Sequence, residues 1–238
     1  MRMTVVGCSG SAPGPDSAAS SYLVEKDGYR LLLDVGAGAA GPLLRYSSAE
    51  EIDAVILSHA HSDHWSDVTQ LSYYRAKAIR DGIDCGPLRV FGPSNLNSVL
   101  TTNPDDFATT VARTGDLELG PMRVRLAQVQ HGDLECWASR VDDALCYTAD
   151  TEPCAAIEAL ADGCGVLLAE ASGLDADGPM RGHLTAGDAG RLAAKAGAKL
   201  LVLTHLRTWQ DHLPLLDEAA QTAGCPVILA RPGLRVAL

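Results

Sequence analysis

Ile56-Leu57-Ser58-His59-Ala60-His61-Ser62-Asp63-His64-Trp65 is the stretch on which the reading of this chain turns. Three of the seven histidines and an aspartate fall within six residues. They follow an apolar run, Ala54 to Leu57, that reads as a buried strand. Neutral imidazoles and a carboxylate are the donors a zinc-type cation takes, and a strand end running into a loop can converge several of them on one point. Alternate side chains of an extended segment point the same way, so His59 and His61 can share one ion. Asp63 and His64 lie beyond the turn and can reach a second. A polar loop enriched in histidine by chance is the competing explanation, and so dense a cluster in a histidine-poor chain argues against it.

At 238 residues the chain has the length of one large domain or two small ones, and one domain spanning residues 1–238 is the expectation. Apolar residues make up 47% and charged residues 21%, an ordinary balance for a soluble globular protein. The net charge of −11 argues against a duplex- or tRNA-binding surface, because phosphate backbones are held mainly by Lys and Arg. A small anionic substrate stays compatible, since a pair of divalent cations inverts the local field. The seven cysteines are an odd count without a C-x-x-C pair, which suits reduced thiols in a cytoplasm better than a disulfide framework. Val5-Val6-Gly7-Cys8 looks like a lipoprotein cleavage site, but too few residues precede it for a signal-peptide apolar region. No run reaches transmembrane length. A cytoplasmic protein with no membrane partner is expected.

In chain order, Met3 to Val6 reads as a strand and Gly7 to Asp16 as a loop by composition. The loop lacks the Lys and Thr spacing of a P-loop. Ser21 to Glu25 and Tyr29 to Asp34 form a hairpin about Lys26-Asp27-Gly28. Leu43 to Tyr46 is a short helix, and Ile52 to Leu57 the strand that delivers the histidine cluster. Trp65, Val68, Leu71, Ala78 and Ile79 recur at helical spacing through Arg80. Leu88 to Pro93 is a strand and turn, a helix starts near Asn95, and Thr101 to Thr110 reads as irregular. Met122 to Gln130 alternates and stops at His131, which by position alone reads as structural. Trp137 to Val141 and Ala144 to Ala149 form a hairpin about Asp142-Asp143. Asp150 reads as a helix N-cap before Pro153. Val166 to Ala169 is a buried strand ending at Glu170. A loop leads to His183 and to Thr185, the N-cap of a helix from Ala186 to Ala196 with Asp188 three residues on. Lys199 to Leu203 is a strand, and His205 follows it as His59 follows its own. A helix near Asp211 to Ala223 and a strand from Pro226 to Ala230 finish the chain. Trp209 and His212 read as an exposed helix start or as a pocket rim.

His59-x-His61-x-Asp63-His64 after an apolar strand resembles the signature of the metallo-β-lactamase superfamily, whose members are mostly dinuclear hydrolases. Asp34-Val35-Gly36-Ala37-Gly38 resembles its "DxGxG" stretch, in which the aspartate buttresses the metal loop. Tyr147-Thr148-Ala149-Asp150-Thr151 resembles "sGDT", with Ala149 in place of glycine. The resemblance runs from Met3 to about Leu206 and implies a four-layer αββα sandwich. It further implies one ion held by His59, His61 and His131, a second held by Asp63, His64 and His205, and Asp150 as the bridging carboxylate. Glu170-Ala171-Ser172, Gly182-His183-Leu184-Thr185-Ala186 and Thr204-His205-Leu206 look like the ribonuclease Z and phosphodiesterase branch. There His183 would protonate the leaving oxygen, oriented by Glu170. Ala169, where ribonuclease Z usually has histidine, is a departure.

By this resemblance the two ions would lower the pKa of a shared water toward neutrality for in-line attack on phosphorus, with Asp63 steering the nucleophile. Zinc suits the ligands, and manganese or iron accept similar ones. Pro13-Gly14-Pro15-Asp16-Ser17 stands where ribonuclease Z carries a basic loop, and only 19 positions separate His131 from Asp150, too few for its tRNA-gripping arm. The opening Thr4 to Val24 instead resembles actinobacterial cyclic-nucleotide phosphodiesterases. The expected substrate is therefore a small anionic phosphodiester such as a 3′,5′-cyclic nucleotide. tRNA 3′-end cleavage is the runner-up, and a lactone, thioester or β-lactam hydrolase the carbonyl alternative. A non-catalytic binding module is disfavoured by the complete ligand set. Dimers are common in the branch, so a homodimer is compatible, though no stretch identifies an interface.

Overall fold

Two runs of strand-forming sequence, one on each side of residue 113, build two separate sheets. The computed structural model describes residues 1–100 and 104–238, so residues 101–103 of the stretch read as irregular lie outside the described residues. The backbone divides into two compact units, Met1–Ala112 with Arg231–Ala237, and Arg113–Ala230 with Leu238.

In the first unit the strands run in the order Arg2–Gly10, Ser21–Lys26, Tyr29–Leu33, Ala54–Ile56, Leu88–Gly92, Phe107–Val111. The first two pairings are antiparallel and the remaining three parallel. Arg235–Ala237 adds an antiparallel partner to Arg2–Gly10. Leu32, Val55 and Val90 from neighbouring strands pack with Val68 and Leu71 of the helix Val68–Arg80. Leu31, Leu33, Ala54 and Ile56, on the opposite face, are also buried. Strands buried on both faces read as continuous apolar runs, which is why Ala54 to Leu57 carries no polar alternation.

In the second unit the order is Val227–Leu229, Leu200–Thr204, Val166–Glu170, Leu145–Tyr147, Leu134–Val141, Met122–His131, Gly115–Leu119. The first four of these strands are parallel neighbours, and the rest pair antiparallel. The helix Ala186–Ala196 starts on the predicted Thr185 cap, whose hydroxyl accepts from the Asp188 amide at 3.0 Å. It lies so close to the helix Leu213–Thr222 that a Cβ on Gly190 would stand 2.6 Å from the Ala219 carbonyl oxygen.

Two readings need correction. Gly7 to Gly10, read as loop, continues the first strand. Its small residues serve close approach, since a Cβ on Gly7 would come within 2.1 Å of the Ala19 carbonyl oxygen on the parallel segment Ala18–Ala19. Phe107–Val111, read as irregular, is a strand, because pairing beside Leu88–Gly92 outweighs the polarity of its threonines. Among the described residues no helix is long and apolar enough to cross a membrane.

Candidate metal centre

In the first unit the strand ends at Ile56 and the chain turns through His59 and His61 into the short helix Ser62–Trp65. His61 is extended, at φ −72° and ψ 141°, and His59 Nε2 lies 3.0 Å from His61 Nδ1. Asp34 governs this loop. It is fully buried and left-handed, at φ 59°. Its Oδ1 accepts the Ser58 amide at 2.7 Å, and its Oδ2 accepts the Ser58 hydroxyl at 2.9 Å and His64 Nδ1 at 2.8 Å. Because Ser58 Oγ gives its hydrogen to Asp34, it accepts from His59 Nδ1 at 3.0 Å. Both rings are thereby set as Nδ1–H tautomers, which turns each Nε2 into a lone-pair donor.

Backbone contacts hold the rest of the cluster. The Val35 amide donates to the His64 carbonyl at 2.8 Å, and Trp65 Nε1 to the Ala60 carbonyl at 3.1 Å. A Cβ on Gly36 would overlap the Asp63 carbonyl oxygen at 1.9 Å, so only glycine fits there. The Ser11 amide donates to Asp63 Oδ2 at 2.8 Å, which brings the loop after the first strand to the cluster.

In the second unit the chemistry-bearing residues come from separate strand ends. The buried face of Met122–His131 changes from Met122, Val124 and Leu126 to Val129 and His131, with no slip in register. His131 Nδ1 donates to the Gly182 carbonyl at 2.6 Å, which again leaves Nε2 as the lone-pair nitrogen. Asp150 follows the strand Leu145–Tyr147, Glu170 ends Val166–Glu170, and His205 follows Leu200–Thr204. Asp150, Glu170, His183 and His205 bring one ligand-type atom each within 4.8 Å of one another. His205 Nε2 lies 3.3 Å from Asp150 Oδ2. Ala149 and His205 both take the left-handed region, at φ 52° and 54°, to turn these side chains inward.

Glu170 is fully buried and accepts the Thr151 amide at 2.6 Å, the Ser172 hydroxyl at 2.9 Å and His183 Nδ1 at 2.8 Å. Burial opposes charge on His183. The Glu170 hydrogen bond and the negative charges of Glu170 and Asp150 outweigh that burial and the nearby Arg207, so the imidazole pKa rises above its ordinary value. The side chain of His183 keeps 19% of its surface exposed and lines a cavity of about 350 Å³ with Glu152, Met180, Thr185 and Arg191. A buried carboxylate behind an accessible, proton-holding imidazole can deliver a proton to a bound molecule.

Every residue named from the sequence thus lies within one of two sets, His59, His61, Asp63 and His64 in the first unit and His131, Asp150, Glu170, His183 and His205 in the second. Imidazole nitrogens of fixed tautomer and buried carboxylates fit divalent ions, and the set fits zinc, manganese or iron alike. Sequence reasoning assigned no role to Ser58 and Ser172, whose hydroxyls reach His59 Nδ1 at 3.0 Å and His205 Nδ1 at 3.4 Å, or to Glu152, which accepts the Gly182 amide at 2.7 Å. Trp209 is 66% exposed, and His212 Nε2 is spent on the Arg207 carbonyl at 2.8 Å.

The beta-lactamase superfamily domain profile matches residues 29–206. A Bacillus subtilis protein named "Probable metallo-hydrolase YhfI" is 31% identical over 242 residues, covering 98% of both chains. The crystal structure of YhfI superposes with a TM-score of 0.92 at 30% identity, covering 99% of this chain and 98% of that one. A ribonuclease Z of Myxococcus xanthus is 25% identical over 305 residues, covering 100% of this chain and 98% of its own. A diphosphatase of the PhnP family shares the fold, with a TM-score of 0.80 at 22% identity over 100% of this chain and 97% of that one.

Proposed function

The chain belongs to the beta-lactamase superfamily and is a metallo-hydrolase of the metallo-β-lactamase fold, and from that premise we propose that it hydrolyses a small phosphodiester such as a 3′,5′-cyclic nucleotide. The observation that carries the reading is the Glu170–His183 pair, a buried carboxylate 2.8 Å behind a partly exposed imidazole on a cavity wall. An alkoxide leaving from phosphorus needs a proton, and this pair is placed to supply one.

His59, His61, His131, Asp63, His64, His205 and Asp150 are the residues that would hold divalent ions. Divalent ions held there would supply a nucleophile at neutral pH and neutralise phosphoryl charge. Asp34, directly and through Ser58, holds His64 and His59 in the tautomer that binds. Asp63, fixed by the Ser11 amide, orients the attacking water. His183 carries the proton on the side of the leaving oxygen, and Glu170 keeps it charged and aimed.

Acidity supports a small substrate: a net charge of −11 disfavours a nucleic-acid surface. Steady-state hydrolysis of 3′,5′-cyclic AMP, a precursor tRNA and a lactone by zinc-loaded protein tests this. Turnover of the cyclic nucleotide is expected. Turnover of the tRNA alone would transfer the chain to the ribonuclease Z reading that its Myxococcus relative suggests, and turnover of the lactone alone would remove the phosphodiesterase.

A further inference from the structure

We infer that Glu152 is a positioning residue, a strut that sets the orientation of His131 and the placement of His183 through one shared residue, Gly182. Three hydrogen bonds make the strut. Glu152 Oε1 accepts the Gly182 amide at 2.7 Å, the Gly182 carbonyl accepts His131 Nδ1 at 2.6 Å, and the Glu152 amide donates to the Gln130 carbonyl at 2.7 Å. The last bond ties Glu152 to the residue before His131, so the loop is closed in both directions. Gln130 adds to the clamp, its amide donating to Thr151 Oγ1 at 3.2 Å and its side chain to Glu152 Oε2 at 3.4 Å.

Gly182 is suited to the relay and to little else. It sits at φ 84°, and a Cβ there would stand 2.8 Å from His131 Nδ1. Its N–H meets Glu152 and its carbonyl, in the next peptide group, meets His131 at closest approach, and the following residue is His183, hydrogen-bonded to Glu170. The peptide that carries this carbonyl is also held by the His183 amide, which donates to the Met180 carbonyl at 3.0 Å, while Glu152 fixes the preceding peptide. Without the Glu152 acceptor the backbone at Gly182 can turn, and both tautomers of the His131 ring become accessible. A bond one step behind a ligating imidazole is worth about 10–100-fold in metal affinity or activity. Glu152 acts a further step back, so about 10-fold is the expected size. Only the kinetic part of this inference rests on the phosphodiesterase reading.

The test compares Glu152→Ala, Glu152→Asp and Glu152→Gln in the full chain. Zn²⁺ affinity is measured by calorimetric titration, histidine tautomers by long-range ¹H–¹⁵N spectra of the metal-free protein, and kcat and KM with bis(4-nitrophenyl) phosphate. Glutamine keeps an acceptor at the same reach, so E152Q should hold the Nδ1–H tautomer of His131 and wild-type zinc affinity. E152A should lose about 10-fold in zinc affinity, show mixed tautomers for His131 and lower kcat with little change in KM. E152D withdraws the acceptor by one methylene and should follow the alanine, which keeps the test alive if E152A fails to fold. Unchanged zinc affinity and tautomer in E152A or E152D would overturn the inference, as would E152Q behaving like E152A. If the zinc and tautomer readouts follow Glu152 while wild-type protein leaves the phosphodiester intact, the strut stands and the phosphodiesterase reading falls.

Discussion

Asp34 in the first unit and Glu170 in the second are the same device built twice. Each is a fully buried carboxylate, and each accepts one backbone amide, one serine hydroxyl and one histidine Nδ1. They differ in what the held imidazole can reach. His64 is wholly buried beside Asp63, whereas His183 keeps 19% of its side chain exposed on a cavity wall. On the proposed reading, one arrangement would sharpen a ligand and the other would keep a proton available. A buried carboxylate behind histidine does not by itself define a role, and the exposure of the ring decides it.

The largest effect expected from this contrast is on turnover. His183→Ala should lower kcat on a cyclic nucleotide by about 10²–10⁴-fold with bound zinc retained, measured by steady-state kinetics and metal analysis. A variant that loses its zinc would make His183 a ligand and erase the difference between the two devices. Next in size, Asp34→Ala should weaken zinc binding by about 10–100-fold, because two imidazoles lose their fixed tautomer together. Competition with a chelator measures this, and unchanged affinity would show that Asp34 serves only the fold.

Glu170→Gln sharpens the comparison through pH. His183 can donate only while protonated, so kcat/KM holds below its raised pKa and falls as pH climbs through it. The substitution keeps an acceptor for His183 Nδ1 but removes the negative charge that helps raise that pKa, and the alkaline limb should move to lower pH. The stability that the His183–Glu170 pair contributes follows the same sign. It is full below the ordinary histidine value and lost as pH rises through the folded one. An alkaline limb at the same pH in both proteins would assign the proton to another group.

The smallest effect concerns strain. Ala149 is buried and left-handed at φ 52°, a conformation that costs an L-residue about 1–2 kcal/mol. Ala149→Gly should therefore raise the unfolding free energy in urea by about 1 kcal/mol, less what glycine gains in unfolded-state entropy. Asp34 is held in the same region by its hydrogen bonds, so Asp34→Gly should destabilise instead, and a gain in both would mean that strain outweighs the hydrogen bonds.

The first unit's histidine and aspartate cluster was legible because it is local. Four ligand-type residues occupy six consecutive positions, an apolar strand precedes them, and the DxGxG turn that supplies Asp34 carries its own signature. In the second unit the corresponding residues lie on four strand ends between His131 and His205. His131 read alone as a structural histidine and Asp150 as a helix cap, and only the family resemblance drew them together. Ser172 stood in the quoted Glu170-Ala171-Ser172 stretch without a role, and Glu152 was not legible at all, since an acceptor that acts through the backbone has no spacing to betray it.

What the sequence by itself determined is the helix from Thr185, the hairpins, the buried parallel strands and the identity of the ligand-type side chains. Propensity, capping and alternation act within a few residues, and the chain carries them in plain order. Tertiary structure alone decided that Gly7 to Gly10 and Phe107–Val111 are strands. It also decided that the buried face of Met122–His131 changes before His131, and that one residue, Gly182, meets both His131 and Glu152. Those outcomes depend on which backbone lies alongside, and pairing energy and close approach between distant segments have no local pattern to record them.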